Sequence, residues 1–596
     1  MADFYKGMDI SFVPELLDQG MQLYDLDGTP IAPLALAKKY GVNSIRLRIW
    51  NNPENVPEAK GYCSLKHTMD MAKQIKHQGL GFMLDFHYSD YWADPGQQRK
   101  PKAWEKLSFE ELKEAVYCYT KDTLTTLKEA DILPEIVQIG NEIRSGLLFP
   151  DGELPDYAGM IQLINAGIKG AREAAGPDEM KIMIHLDQGG RYFYLKEWFD
   201  RSIAHGLEDF DIIGLSYYPF WHGTFTDLKE SMEKLVQDYG KPIIIAETAH
   251  AWRRSKNGFI DEDQERIAGI AATPEGQKKV LDLVMNITAA IPDHMGIGVY
   301  YWEPLCVPRE GNGGWSENMG ILDESGQVLE SVKSFLFIRD RLQSGKPAKI
   351  YEPRQLILLK GTKPLLPEEL NVLYYDGSIQ KHSVKWKECI QNGGDSAQDQ
   401  WINRPGEYQL TGEMTDIALQ AFVKIKVVEE MEEPANLIRD ENWEEGFTQW
   451  GIEKSDERVS VSLCPDLNTA FPDPPVNHIR VESPVNFRFV ICQEVRIQSP
   501  GKYKLQAEYR GTDTTNVDVR LFMEIAGEKV FMEENQAIIN QKEQVIHPVD
   551  DDWVVYEIGN FECQPGVLKV GIRISAPPVY GKIRQFRLIR DSNKIV

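Results

Sequence analysis

Ile136-Val137-Gln138-Ile139-Gly140-Asn141-Glu142 and Pro242-Ile243-Ile244-Ile245-Ala246-Glu247 each lead a short apolar run straight into a carboxylate. A continuous apolar run of that length, bounded by turn residues, marks a strand buried on both faces, as in a parallel sheet. In a barrel of alternating strands and helices, the C-terminal strand ends form one rim, and chemistry collects there. Two carboxylic acids on that rim are the minimum equipment for breaking a glycosidic bond, one protonating the leaving oxygen and one acting at the anomeric carbon.

Six further runs of the same kind surround these two, giving strands at Gly7–Phe12, Ser44–Trp50, Gly81–His87, Lys181–Asp187, Ile212–Tyr218 and Gly296–Glu303. Amphipathic helical stretches such as Phe109 to Glu129 lie between them. Eight strands alternating with helices predict an α/β chain whose residues 1–348 form a (β/α)8 TIM barrel. Beyond it the texture changes to short alternating strands with hairpin signals, for example Tyr374-Tyr375 before Asp376-Gly377 and a turn at Pro405-Gly406. Residues 349–430 fit a small Ig-like β-sandwich. The acidic stretch Glu429-Glu430-Met431-Glu432-Glu433-Pro434 reads as a linker. Residues 435–596, with strands at Phe487–Ile497, Tyr503–Tyr509 and Val517–Ile525, match a jelly-roll sandwich.

The chain has 596 residues, too many for one core, and a formal charge of -25 from 66 basic and 91 acidic residues. That balance argues against a nucleic-acid partner, since such affinity comes from Lys and Arg neutralising phosphate. It suits a protein working on a neutral polymer. No apolar run is long enough to span a bilayer, so no membrane partner is expected. The N-terminus lacks the basic and apolar regions of a signal peptide, which predicts a cytoplasmic protein, the alternative being a secreted one whose signal has been removed. Seven scattered cysteines (Cys63, Cys118, Cys306, Cys389, Cys464, Cys492, Cys563) make neither a disulfide framework nor a zinc spacing, and tilt towards a reducing compartment.

In retaining glycosidases the two carboxyl groups stand about 5–5.5 Å apart, in inverting ones about 6.5–9.5 Å. Glu142 and Glu247, on strands across the barrel mouth, can face one another over a sugar, provided one is poised protonated and the other ionised. Arg46, on the second strand, is placed to keep Glu247 charged, and Asn141 to donate to a sugar 2-hydroxyl. The competing reading is structural, because carboxylates favour helix N-termini and Arg46 and Arg48 can serve as ion-pair partners.

Phe86-His87-Tyr88-Ser89-Asp90-Tyr91-Trp92-Ala93-Asp94-Pro95-Gly96-Gln97, then Pro101-Lys102-Ala103-Trp104, closely resembles the endo-β-1,4-galactanases of glycoside hydrolase family 53. So do Val137–Ile143, Gly146–Pro150, Gly7–Ser11, Ser44–Trp50, Ile245–Ala249 and Val299–Pro304, in order along the whole barrel. The resemblance implies a retaining endo-hydrolase of β-1,4-galactan in type I arabinogalactan or pectin, taking the polysaccharide or its oligosaccharides as its partner and using no cofactor. By position, Glu142 is then the general acid/base and Glu247 the nucleophile. Asp85, His87, Asp187, Tyr217 and Tyr218 are expected to line the cleft, with Trp92 and Trp302 offering apolar faces to sugar C–H groups. Core packing competes for Tyr217 and His87, and loop stabilisation for Trp92. Some bacterial members hold calcium after the seventh strand. Here Ala251 to Asp263 mixes basic residues among its acids, and no metal is assigned. The middle domain resembles bacterial Ig-like spacers. The last opens with Trp443, Phe447 and Trp450, like a carbohydrate-binding jelly roll, although core roles for both tryptophans compete. Two other functions stand beside the galactanase: another barrel glycosidase, of mannanase or xylanase type, and a non-catalytic polysaccharide-binding protein.

Overall fold

The structure is a computed structural model. It describes residues 4–590 except 208, 256–257, 259–261, 308–314, 353–355, 388–400, 430–435, 441–442, 444–445, 466–476, 484, 499, 512–517, 526–527, 531–535, 539–553 and 577–579. The proposed linker therefore lies almost wholly outside the described residues, as does part of the segment after the seventh strand.

Eight parallel strands close into a barrel: β1 (Tyr5–Asp9), β2 (Ser44–Ile49), β3 (Gly81–Phe86), β4 (Ile136–Ile139), β5 (Lys181–Leu186), β6 (Ile212–Ser216), β7 (Ile243–Thr248) and β8 (Gly296–Trp302). The expected TIM barrel is what the chain forms. β1 closes it by pairing with β8 on one side and β2 on the other. Because side chains alternate across a strand, each strand sends one set into the barrel and the other towards the helices. The lowest inward layer is apolar, with Tyr5, Met83, Ile136, Met183, Ile212, Ile244, Ala246 and Tyr300 packed together. It forms a floor beneath the polar layers above. Gly7 makes room for that floor: a Cβ there would stand 2.0 Å from the Tyr300 ring.

The helices bury one stripe each. Phe109–Glu129 starts on a capping box, in which Ser108 accepts from the Glu111 amide and Glu111 from the Ser108 amide. It buries Leu112, Val116, Thr120, Thr123, Leu124 and Leu127, the helical spacing of an amphipathic face. Among the described residues no helix is long and apolar enough to cross a membrane.

The chain divides into two compact units, one of residues 1–346 with 375–378, the other of the remaining residues from 347 to 596. In the second unit, the strands Pro347–Ile350, Leu356–Leu359, Glu369–Tyr374, Ile379–Trp386, Gly406–Met414 and Gln420–Val428 form a six-stranded sheet. Its hairpin from Glu369–Tyr374 to Ile379–Trp386 turns at Gly377, where φ is +80°. The first half of Ile379–Trp386 pairs with Glu369–Tyr374 and its end with Gly406–Met414, so this strand links two apolar clusters that both touch Trp386. After residue 435 the strands form a five-stranded and a six-stranded sheet around one core. Phe487–Ile497 has the bounds read from sequence. Trp443 and Trp450 are buried in that core, and Phe447 packs against it, so the competing core reading holds for both tryptophans. Among the described cysteines, Cys63, Cys118, Cys306, Cys492 and Cys563 are free thiols.

Candidate active site

Above the apolar floor the inward positions turn polar. Asp9, Arg46, Arg48, Asp85, Gln138 and His185 all occupy the inward phase of their strands and are all buried. Arg46 is the hub. Its Nη1 lies 2.9 Å from Asp9 Oδ2 and 2.9 Å from Glu247 Oε1. Its Nη2 donates to Asp85 Oδ2 at 2.8 Å, Asn141 Oδ1 at 3.0 Å and Gln138 Oε1 at 3.1 Å. Burial works against its charge, but Asp85, Glu247 and Asp9 outweigh that, so the guanidinium stays protonated.

Glu247 reaches this layer through an irregularity. With Ile244 and Ala246 in the barrel floor, strict alternation would turn residue 247 outward. The register of β7 slips at that point against both neighbours: Leu215 and Ser216 of β6 oppose Ile245 and Glu247, while Val299 and Tyr301 of β8 oppose Ile245 and Thr248. A bulge of this kind re-aims a side chain, and here it sends the carboxylate inward onto Arg46. Tyr218 donates its hydroxyl to the other oxygen, Oε2, at 3.1 Å.

Glu142 is placed by a turn. Its backbone is left-handed, φ +46° and ψ +49°, a conformation uncommon for any residue other than glycine and concentrated at functional sites. The side chain is half-buried. Burial first, then the charges of Glu247 and Asp187, hold its carboxyl well above the usual carboxylate range. Burial also lifts Glu247, but there Arg46 pulls the other way and Tyr218 adds a hydrogen bond to the ionised form. Of the two acids, Glu247 is the one supported as an anion and Glu142 the one supported as an acid.

The remaining expected residues divide. Asp85 accepts from Gln138 at 2.6 Å and from His87 Nε2 at 3.1 Å. His87 Nδ1 in turn accepts from the Ala93 amide at 3.1 Å, so this ring braces Asp85 and the loop after β3. Asn141 gives one amide hydrogen to Ala93 O at 2.9 Å. Among the described residues no other acceptor takes an Nδ2 hydrogen. Asp187 is buried and paired with Arg144 Nε at 2.9 and 3.1 Å. Trp92 and Trp302 are half-buried and touch, ring centroids 5.9 Å apart. Behind Trp92 lies Arg48, stacked 4.3 Å from its ring and bonded to Glu303 at 2.6 Å. Tyr217 does not join the cleft: its hydroxyl donates to Gly223 O at 3.0 Å and its ring packs on Phe225. Its neighbour Tyr218 takes the inward position, and alternation allows only one of them there.

Sequence reasoning missed Asp9, Gln138, His185, Ser216 and Arg144. The first three carry a usable signal, a polar residue in the inward phase of an otherwise apolar strand. No group of three or more potential metal ligands occurs among the described residues.

Two acids on one rim, an arginine on one of them and an Asn beside the other, point to a glycosidase, and the comparisons decide which kind. Residues 5–335 match Glycosyl hydrolase family 53. The chain belongs to that family. As a family 53 glycoside hydrolase it is 35% identical over 337 residues to arabinogalactan endo-beta-1,4-galactanase A of Emericella nidulans, covering 56% of this chain and 93% of the relative. It is 42% identical to an uncharacterized protein from the bgaB 5' region of Niallia circulans, again covering 56% and 93%. Among solved structures, the Ignisphaera aggregans GH53 catalytic domain is 36% identical with a TM-score of 0.52, covering 56% of this chain and 97% of that one. A fungal beta-1,4-galactanase is 34% identical with a TM-score of 0.50, covering 56% and 99%. All four alignments leave close to half of this family 53 chain unmatched.

Proposed function

We propose that the barrel is a retaining endo-β-1,4-galactanase that cuts the galactan chains of type I arabinogalactan, with Glu247 as nucleophile and Glu142 as general acid/base. The observation that carries this reading is the asymmetry of the two acids: Glu247 sits 2.9 Å from a buried arginine, whereas Glu142 is raised by burial and by Glu247 itself. Glu247 attacks the anomeric carbon while the Glu142 proton passes to the departing glycosidic oxygen, leaving a galactosyl ester. Water then gives its proton to Glu142 and attacks the same carbon, releasing Glu247. Asn141 meets the sugar 2-hydroxyl with its uncommitted N–H, and Trp92 and Trp302 form an apolar wall for the ring. The choice of galactose rests on the galactanases among its relatives.

The test is product analysis on galactan, mannan and xylan. A ladder of galacto-oligosaccharides from galactan, with the β anomer first in NMR of the nascent product, is the expected result. Glu247→Ala should abolish cleavage at an unchanged circular dichroism spectrum. An active Glu247→Ala, or an α anomer formed first, refutes the assignment.

A further inference from the structure

Four neighbouring strands of the barrel, in the order β8, β1, β2 and β3, each bring a side chain to one cluster at the cleft wall. Glu303 follows β8, Phe12 follows β1, Arg48 lies within β2, and Trp92 stands in the loop after β3. Arg48 is the centre of the cluster. Its guanidinium carbon lies 4.2 Å from the centre of the Phe12 ring and 4.3 Å from that of Trp92. Those two rings are themselves 5.6 Å apart and inclined at 63°, so the guanidinium fills the angle between them like a wedge. Its Nη1 donates to Glu303 Oε1 at 2.6 Å. The same carboxyl accepts from the backbone amide of Phe12, at 3.2 and 3.3 Å to its two oxygens. The backbone amide of Arg48 donates to Ser11 Oγ at 3.0 Å, which holds the β2 end of the cluster as well.

The reaction scheme uses neither Arg48 nor Glu303, yet both are buried, and an arginine carries its charge into the interior. Such a buried pair gains little stability over apolar side chains of the same volume. What a guanidinium supplies instead is a flat cation, attracted to a ring face and held in one orientation by the carboxyl it bonds. We propose that Arg48 is a positioning residue for substrate binding: oriented by Glu303, it fixes the tilt of the Trp92 indole and so the face that the wall offers to a galactose ring. Glu303 directly follows Trp302, on a left-handed backbone with φ +47°. One hydrogen bond therefore ties the chain at Trp302 to the support of Trp92, and the two indoles meet with ring centres 5.9 Å apart. An indole free to change its tilt loses contact with the bound sugar and with the transition state alike, which raises KM and leaves kcat in place. The proposal deepens the galactanase reading and rests on it for the identity of the sugar.

The experiment measures KM and kcat on galactan for the full chain, for Arg48→Lys, for Trp92→Ala and for the two substitutions together. Lysine keeps the charge but has no flat face to lay against the indole. Arg48→Lys should raise KM about fivefold, the size of one cation–ring contact, and hold kcat within about twofold. Where Trp92→Ala is already present, it should raise KM no further. In protein labelled with 5-fluorotryptophan, the Trp92 fluorine line is identified as the one lost in Trp92→Phe. That line should broaden or split in Arg48→Lys as the indole gains a second tilt. If Arg48→Lys yields no folded protein, Phe12→Leu, which opens the other side of the wedge, carries the same expectations. An unchanged KM, a fall in kcat alone, or an equal rise in KM without Trp92 overturns the proposal. A Trp92 line that broadens in a protein whose wild type leaves galactan intact upholds the clamp and overturns the galactanase reading instead.

Discussion

At the scale of single residues, the centre depends on Arg46 holding three carboxylates, those of Asp9, Asp85 and Glu247. Arg46→Met strands all three in a buried site, so it should lose about 3–5 kcal/mol of stability, read from urea unfolding, as well as activity. The pH dependence follows from the two acids. Glu142 is raised, so its acid role is intact below its folded pKa and fades as pH rises through it. Glu247 must be ionised, so activity also falls at low pH, giving a bell. Asp187 is one of the charges that raise Glu142. Asp187→Asn removes that charge, which makes the Glu142 proton easier to lose and moves the alkaline limb to lower pH. A limb moving upward would contradict the assignment. Much of this was legible in the sequence: Glu142, Glu247, Arg46 and Asn141 each follow or punctuate an apolar run. Gln138 and His185 were visible as polar residues inside such runs, but nothing local says that they bond to one another. Ser216 was hidden because a serine at a strand end is ordinary.

At the scale of elements, strand existence was readable and fine phase was not. Ile243–Ala246 is apolar throughout, so it carries no alternation from which the slip at Glu247 could be inferred. Tyr217 and Tyr218 looked equivalent for the same reason, until pairing set which one faced in. Helix Phe109–Glu129 was clear because its cap and stripe are local signals. Two substitutions probe this level. Ser108→Ala removes the cap and should cost about 1 kcal/mol in unfolding free energy with kcat unchanged. Gly7→Ala sets a methyl group 2.0 Å from the Tyr300 ring where β1 meets β8. Overpacking at that seam should cost about 2 kcal/mol or more, seen as a lower urea midpoint.

At the scale of the whole molecule, a charge of -25 tells against polyanions but leaves a neutral polymer unaffected. The ion pairs that matter for catalysis are buried and weakly screened. Turnover of galactan should therefore change less than about twofold between roughly 0.05 and 0.5 M sodium chloride, checked by initial rates. The β-rich second half was foreseeable from the change of texture near residue 345, while how those strands share sheets depends on long-range pairing that no short window records. The left-handed peptide at Glu142 sets durability against usefulness. Asparagine enters that backbone region more readily than glutamate and stays neutral beside Glu247 without having to hold a proton. Glu142→Asn should consequently melt above the native enzyme while turning over nothing. Any breeding scheme that rewards heat resistance alone will drift towards such dead but sturdy variants unless it also screens for sugar release.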